Sequence, residues 1–210
     1  MSVNEFSFFM GYQDFGNQAA NKRKQECLDC LQKIYPYINI YDGEVTGAAK
    51  MFCRNRINVY AYARRHLRGN LIFLETDIVA KRPIPDIWNE TFDIGLTEGN
   101  VTSKYNLQPF NAGMIFSKDT PGAHHFFDYI NQVCNDTMES VYVHSWHVDQ
   151  LAMGNAWNTQ KAMVNFKVFE KEYNYFPETA DDTGPAYFMH FKGGREILMP
   201  VFVKRVLNAD

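Results

Sequence analysis

Apolar positions along the chain change period from one segment to the next. Residues 5–12 (EFSFFMGY) form a short aromatic and apolar block that ends at a glycine, the pattern of a buried strand and turn. Residues 17–35 carry a helical pattern that stops at Pro36, which has no N–H for a further helical hydrogen bond. A second short strand is predicted over 37–41, with a turn at Asp42-Gly43. Between 48 and 67, Met51, Ile57, Tyr60, Ala61 and Arg64 recur at helix-like intervals, and Gly69-Asn70 ends the run. Residues 71–74 (LIFL) are continuously apolar, as expected of a central strand covered on both faces.

The second half continues in the same manner. A strand is predicted over 92–96, a polar loop over 97–108, and a further strand over 110–117 introduced by Pro109. Helices are predicted over 120–133 and 148–156, and strands or extended pieces over 162–169, 173–176 and 186–191. A strand-helix-strand opening of this kind predicts an α/β fold with a central, mostly parallel sheet flanked by helices. At 210 residues, without an internal repeat, low-complexity stretch or linker, the expectation is a single domain over residues 1–210.

Composition narrows the class. With 46% of residues apolar and 21% charged, burial can offset the entropy of ordering, which excludes a disordered chain. No apolar run approaches the roughly 18 to 20 residues of a membrane span, and Asn4 and Glu5 stand where a signal peptide would be basic, so a cytoplasmic protein is expected. Cys27, Cys30, Cys53 and Cys134 do not form a disulfide framework pattern and are expected as reduced, buried thiols. The net charge of −3 argues against a nucleic-acid-binding surface, although Arg54, Arg56, Arg64, Arg65 and Arg68 form a local basic stretch suited to phosphates.

Chemistry concentrates directly behind the central strand. Ligands of open α/β sheets bind beyond the carboxyl ends of the strands, and Glu75 and Asp77 lie there. Two residues apart in extended chain, both carboxylates face one side and attract a hard cation such as Mg2+ or Mn2+, whose remaining positions suit a diphosphate. A phosphatase or another phosphoryl-transfer enzyme has the same requirement.

The segment Leu71–Trp88 (LIFLETDIVAKRPIPDIW) resembles the strand and D-x-D segment of family 8 and related GT-A glycosyltransferases. Four further pieces follow in that family's order. Residues 110–116 (FNAGMIF) are similar to its FNAG strand, Asp149-Gln150 to its DQ pair, with Tyr173-Asn174 behind it, and residues 190–195 (HFKGGR) to its C-terminal H-x-x-G segment.

The resemblance implies a GT-A, Rossmann-like domain that transfers a sugar from a nucleotide-sugar donor, UDP-sugar first, with a divalent metal and retention of configuration. It implies Asp77 and His190 as metal ligands, with Glu75 standing where the family usually has its first aspartate. Thr76, Ala112, Gly113, Gly193, Lys192 and Arg195 fall among the donor-binding positions. Gly11 and Tyr12 fall where the family holds the nucleotide base, and Arg54 or Arg56 where a basic residue meets phosphate or sugar. Asn111 and Asp149 are expected on the sugar hydroxyls, and Gln150 under the anomeric carbon.

The acceptor expected is a glycan or another small hydroxyl compound. Hydroxylated bases in nucleic acid form a second acceptor class, which salt-sensitive DNA binding would favour. From other classes, a nucleotide-sugar hydrolase would release sugar without acceptor, and a non-catalytic module would bind nucleotide without turnover. Adjacent His124 and His125 on a helix point to different sides, and His144 and His147 are acceptor-side candidates.

Overall fold

The computed structural model of the chain describes residues 6–12, 18–46, 51–98, 110–138, 148–182, 184–192 and 194–209. Six strands form one sheet in the order β2-β1-β3-β6-β5-β7, built from β1 (Phe6–Tyr12), β2 (Ile40–Glu44), β3 (Asn70–Leu74), β5 (Ile94–Glu98), β6 (Phe110–Ser117) and β7 (Phe166–Phe169). All run the same way except β6, which is antiparallel to both β3 and β5. A second, two-stranded ribbon pairs β4 (Ile78–Ala80) antiparallel with β8 (Phe188–His190).

Strand alternation divides the core into two layers. Phe8, Met10, Ile72, Leu74, Met114 and Phe116 face one layer, closed by α1 (Gln18–Ile34), α5 (Met199–Asn208) and the β4-β8 ribbon. Their chain neighbours Phe9, Leu71, Phe73 and Ile115 face the other, closed by α2 (Phe52–His66), α3 (Pro121–Met138) and α4 (Val148–Thr159). Every residue of 71–74 is fully buried, as a strand covered on both faces requires. At about 1.5–3 kcal/mol for each large side chain removed from water, these two layers hold the helices and the ribbon against the sheet.

Several expected boundaries move. The Asp42-Gly43 turn is instead part of β2, where Met10 and Gly11 of β1 stand opposite Asp42 and Gly43. Gly43 is required there by packing, since a Cβ would lie 2.7 Å from both Phe9 Cζ and Val59 Cγ1. Thr97 and Glu98, expected in a loop, extend β5. Residues 173–176 are not a strand; they follow a 3-10 turn, Lys171–Tyr173, and contribute one isolated bridge from Tyr175 to Met189. The ribbon strand β4 and helix α5 were not expected, and α5 buries Met199, Phe202, Val203 and Val206 at helical spacing. All four cysteines are buried free thiols, and burial pushes Cys30 and Cys53 up to about 12, so they are not reactive thiolates. No helix among the described residues is long and apolar enough to cross a membrane.

Candidate active site

Backbone pairing brings the key residues together from three distant segments. The Leu74↔Met114 register and the bond from Glu75 N–H to Gly113 O (3.0 Å) place Glu75 against β6. The chain then turns through Thr76, whose carbonyl accepts from the Cys27 thiol at 3.1 Å, and enters β4. There Ile78 pairs with His190, and Phe191 N–H donates to Asp77 O at 2.9 Å. One oxygen each of Glu75 and Asp77 and one nitrogen of His190 thereby lie within 4.8 Å of one another.

These three groups are short of partners. His190 Nε2 is 3.1 Å from Glu75 Oε2 and 3.4 Å from Asp77 Oδ1, yet none of the three atoms makes a hydrogen bond of normal geometry among the described residues. Native proteins rarely leave buried polar atoms unsatisfied, and three such atoms converging make a group that could hold a cation. Burial lowers the His190 imidazole below its ordinary range, against the opposing pull of Asp77. Burial also works to raise the Asp77 carboxyl, but His190 and Lys192 more than reverse that and hold it low. At neutral pH an ionised carboxylate and a neutral imidazole result, the forms that bind a divalent metal. Two carboxylates and one imidazole fit Mn2+ or Mg2+.

His190 has no freedom to turn. Its ring stacks on Phe176 with centroids 4.7 Å apart. On the other side it lies against Gly113, where a Cβ would meet His190 Cε1 at 2.4 Å. Glycine in the FNAG segment is thus dictated by the width of the imidazole.

The neighbouring polar residues are already engaged. Arg56, 1% exposed, reaches from α2 between Glu75 and Asp149 and pairs with both. Burial would lower its pKa, but Asp149 raises it, so the guanidinium stays charged. Asp149 also caps α4 locally, its Oδ1 accepting the Gln150 N–H at 2.7 Å. The Gln150 amide zips onto the edge of β6: Nε2 donates to Phe110 O, and Oε1 accepts from Ala112 N–H at 3.0 Å. It does so where the pairing of β5 with β6 jumps from Leu96↔Ile115 to Thr97↔Asn111. Asn111 Oδ1 accepts from Gly113 N–H (2.7 Å) and from Asn174 Nδ2 (3.1 Å).

Other expected residues scatter around this centre. Lys192 Nζ is 3.6 Å from Glu75 Oε2 and half exposed. Arg195 lies over the Phe176 ring at 5.8 Å and donates to Lys192 O, behind Gly194 with φ +90°. Gly11 abuts α2, where a Cβ would meet Tyr60 Cε1 at 2.8 Å, and the Tyr12 ring is covered by Lys24 Nζ at 3.2 Å. Arg54 turns away and donates to Asn135 Oδ1 of α3 at 2.7 Å. His124 and His125 do diverge, to Asp119 and Gln160. Gly193, His144, His147 and positions 99–108 lie outside the described residues. Sequence reading missed the contacts of Asn174, Thr97 and Phe176 with this site. The only signal for them was the asparagine following Tyr173.

No family model and no curated protein sequence matches the chain. Among solved structures, the fold is similar to that of a glycosyltransferase involved in the glycosylation of the major capsid of PBCV-1, with 12% identity and TM-score 0.64 over 95% of this chain and 98% of that one. It is also similar to the glycosyltransferase GlyE of Streptococcus pneumoniae TIGR4, with 10% identity and TM-score 0.64 over 96% of this chain. The apo form of GlyE aligns with 11% identity and TM-score 0.62 over 98% of this chain. In both cases the match spans 63% of the GlyE chain, a little under two thirds of its length. The chain has the fold of these glycosyltransferases.

Proposed function

We propose that this chain is a metal-dependent glycosyltransferase, acting as one domain, that moves a sugar from a nucleotide-diphosphate donor, a UDP-sugar, to a hydroxyl of a saccharide acceptor. The observation that carries this reading is the convergence of Glu75 Oε2, Asp77 Oδ1 and His190 Nε2, buried and without hydrogen bonds, beyond the carboxyl end of β3. The fold shared with glycosyltransferases supports it. A divalent cation held by these three residues would act as a Lewis acid, neutralising charge on the departing diphosphate.

The chain's own residues do the rest. Lys192, half exposed beside Glu75, adds positive charge where a diphosphate would lie. Glu75 is paired with Arg56 through one oxygen and faces His190 with the other, which supports a role at the cation over one at the donor's ribose. Asp149 and Asn111 hold Arg56 and the β6 backbone, and so fix the walls against which sugar hydroxyls are read. Gln150, bound in both directions by β6, is a positioning group and a poor nucleophile. The retention that the resemblance implies fits front-side attack at such a site: the departing phosphate oxygen would take the acceptor's proton, and no side-chain base is needed.

Calorimetric titration with UDP and other nucleoside diphosphates, with and without Mn2+, tests the reading. Micromolar binding that requires the metal, followed by acceptor-dependent turnover of a UDP-sugar, is expected. Failure of every nucleoside diphosphate to bind, with or without metal, would overturn it.

A further inference from the structure

Behind the His190 ring lies Asn174, fully buried. The direction of its amide follows from a donor of fixed identity, a backbone N–H. Gly113 N–H points at Asn111 from 2.7 Å, so the atom it meets is the Asn111 carbonyl oxygen. That oxygen is also 3.1 Å from Asn174, and only an NH2 group satisfies an acceptor there. Thr97 Oγ1, 3.0 Å away and fully buried, takes the second hydrogen of the same NH2. The Asn174 carbonyl oxygen is thereby turned toward His190 and lies 3.0 Å from Nδ1. An amide oxygen only accepts, so Nδ1 carries the hydrogen. In a neutral imidazole this leaves Nε2 with a lone pair, facing Glu75 Oε2 and Asp77 Oδ1.

We propose that Asn174, oriented through Asn111 and Thr97 by the backbone of β6, is a positioning residue that fixes His190 as its Nδ1–H tautomer and aims the Nε2 lone pair into the Glu75–Asp77 cluster. Its value for cation binding rests on the metal reading above; the tautomer itself belongs to the metal-free protein. Outer partners that set a ligand's tautomer commonly matter 10- to 100-fold in metal affinity. Polarity passes from a main-chain amide to a metal-facing nitrogen through two side-chain amides, so a single rotation of Asn174 would put a hydrogen where the cation belongs.

Nitrogen NMR of the 15N-histidine-labelled, metal-free protein at pH 8, well above the ordinary imidazole pKa of about 6.5, reads this directly. The His190 signal is assigned by its loss in His190→Gln. The expected result is hydrogen on Nδ1 and a lone pair on Nε2 in the wild type. Asn174→Asp still accepts from Nδ1 and should keep that tautomer. Asn174→Leu should release it, with Nε2–H appearing and Mn2+ affinity, followed by electron paramagnetic resonance, falling about 10- to 100-fold. Should that variant fail to fold, Thr97→Val removes one acceptor of Asn174 and should loosen the tautomer in part. Hydrogen on Nε2 alone or on both nitrogens in the wild type overturns the proposal, as does an unchanged His190 signal in Asn174→Leu. Wild-type protein that shows Nδ1–H yet binds no Mn2+ overturns the metal reading while supporting the tautomer assignment.

Discussion

Two groups of charged and polar residues meet at the rim of the sheet, and they differ in what their atoms already hold. On the β6–α4 side, Asp149, Gln150 and Asn111 are bonded to neighbours or to the backbone, and Arg56 is ion-paired to Asp149 and Glu75 although its Nε has no hydrogen-bond partner among the described residues. On the β4–β8 side, Glu75 Oε2, Asp77 Oδ1 and His190 Nε2 converge without a hydrogen bond among the described residues, with only the half-exposed Lys192 beside them. Satisfied groups set shape, whereas unsatisfied buried ones mark where a ligand supplies the missing interaction. Residue type alone does not separate the two, because carboxylates occur in both.

Substitutions on the two sides should therefore have opposite signatures. Arg56→Met removes the guanidinium between Glu75 and Asp149 and leaves two buried carboxylates unpaired, which should cost about 3–5 kcal/mol of stability in a denaturant melt. Asp77→Asn should cost less in the melt than Arg56→Met while weakening Mn2+ binding by more than about 100-fold, beyond the effect of outer partners. The comparison breaks if the two variants show the same pattern.

Gly113→Ala touches both sides. A methyl group 2.4 Å from His190 Cε1 must displace the ring, so a loss of about 1–3 kcal/mol typical of overpacking is expected together with weaker Mn2+ binding. Gln150→Leu should cost about 1–3 kcal/mol, because the buried N–H of Ala112 and carbonyl of Phe110 lose their partners, with Mn2+ affinity unchanged. The smallest effect is that of pH. With the His190 pKa lowered, its neutral form persists through the ordinary imidazole value of about 6.5. Mn2+ affinity should hold from pH 8 to that point and fall only on further acidification, as the proton displaces the metal from Nε2.

The layered sheet was legible in the sequence because it depends on short-range pattern, and the Glu75–Asp77–His190 cluster because the family resemblance pointed to it. The apolar run at 71–74 named the central strand, and the acidic residues behind it with the HFKGGR segment named three residues that the fold brings together. What was not legible depends on long-range packing. Gly43 resembles a turn glycine but is a strand residue under Phe9 and Val59. Helix α5 was missed although the 199, 202, 203, 206 spacing of its buried face was available. The two buried carboxylate partners of Arg56 could not be read from the sequence, and the asparagine after Tyr173 did not reveal its contact with His190.

The most direct test of the account is an anomalous-scattering map from crystals grown with Mn2+ and UDP. A manganese peak coordinated by Glu75, Asp77 and His190 Nε2, with the diphosphate completing its shell, is the predicted result. UDP bound at the sheet rim with no metal at these residues, or a metal elsewhere, would contradict it.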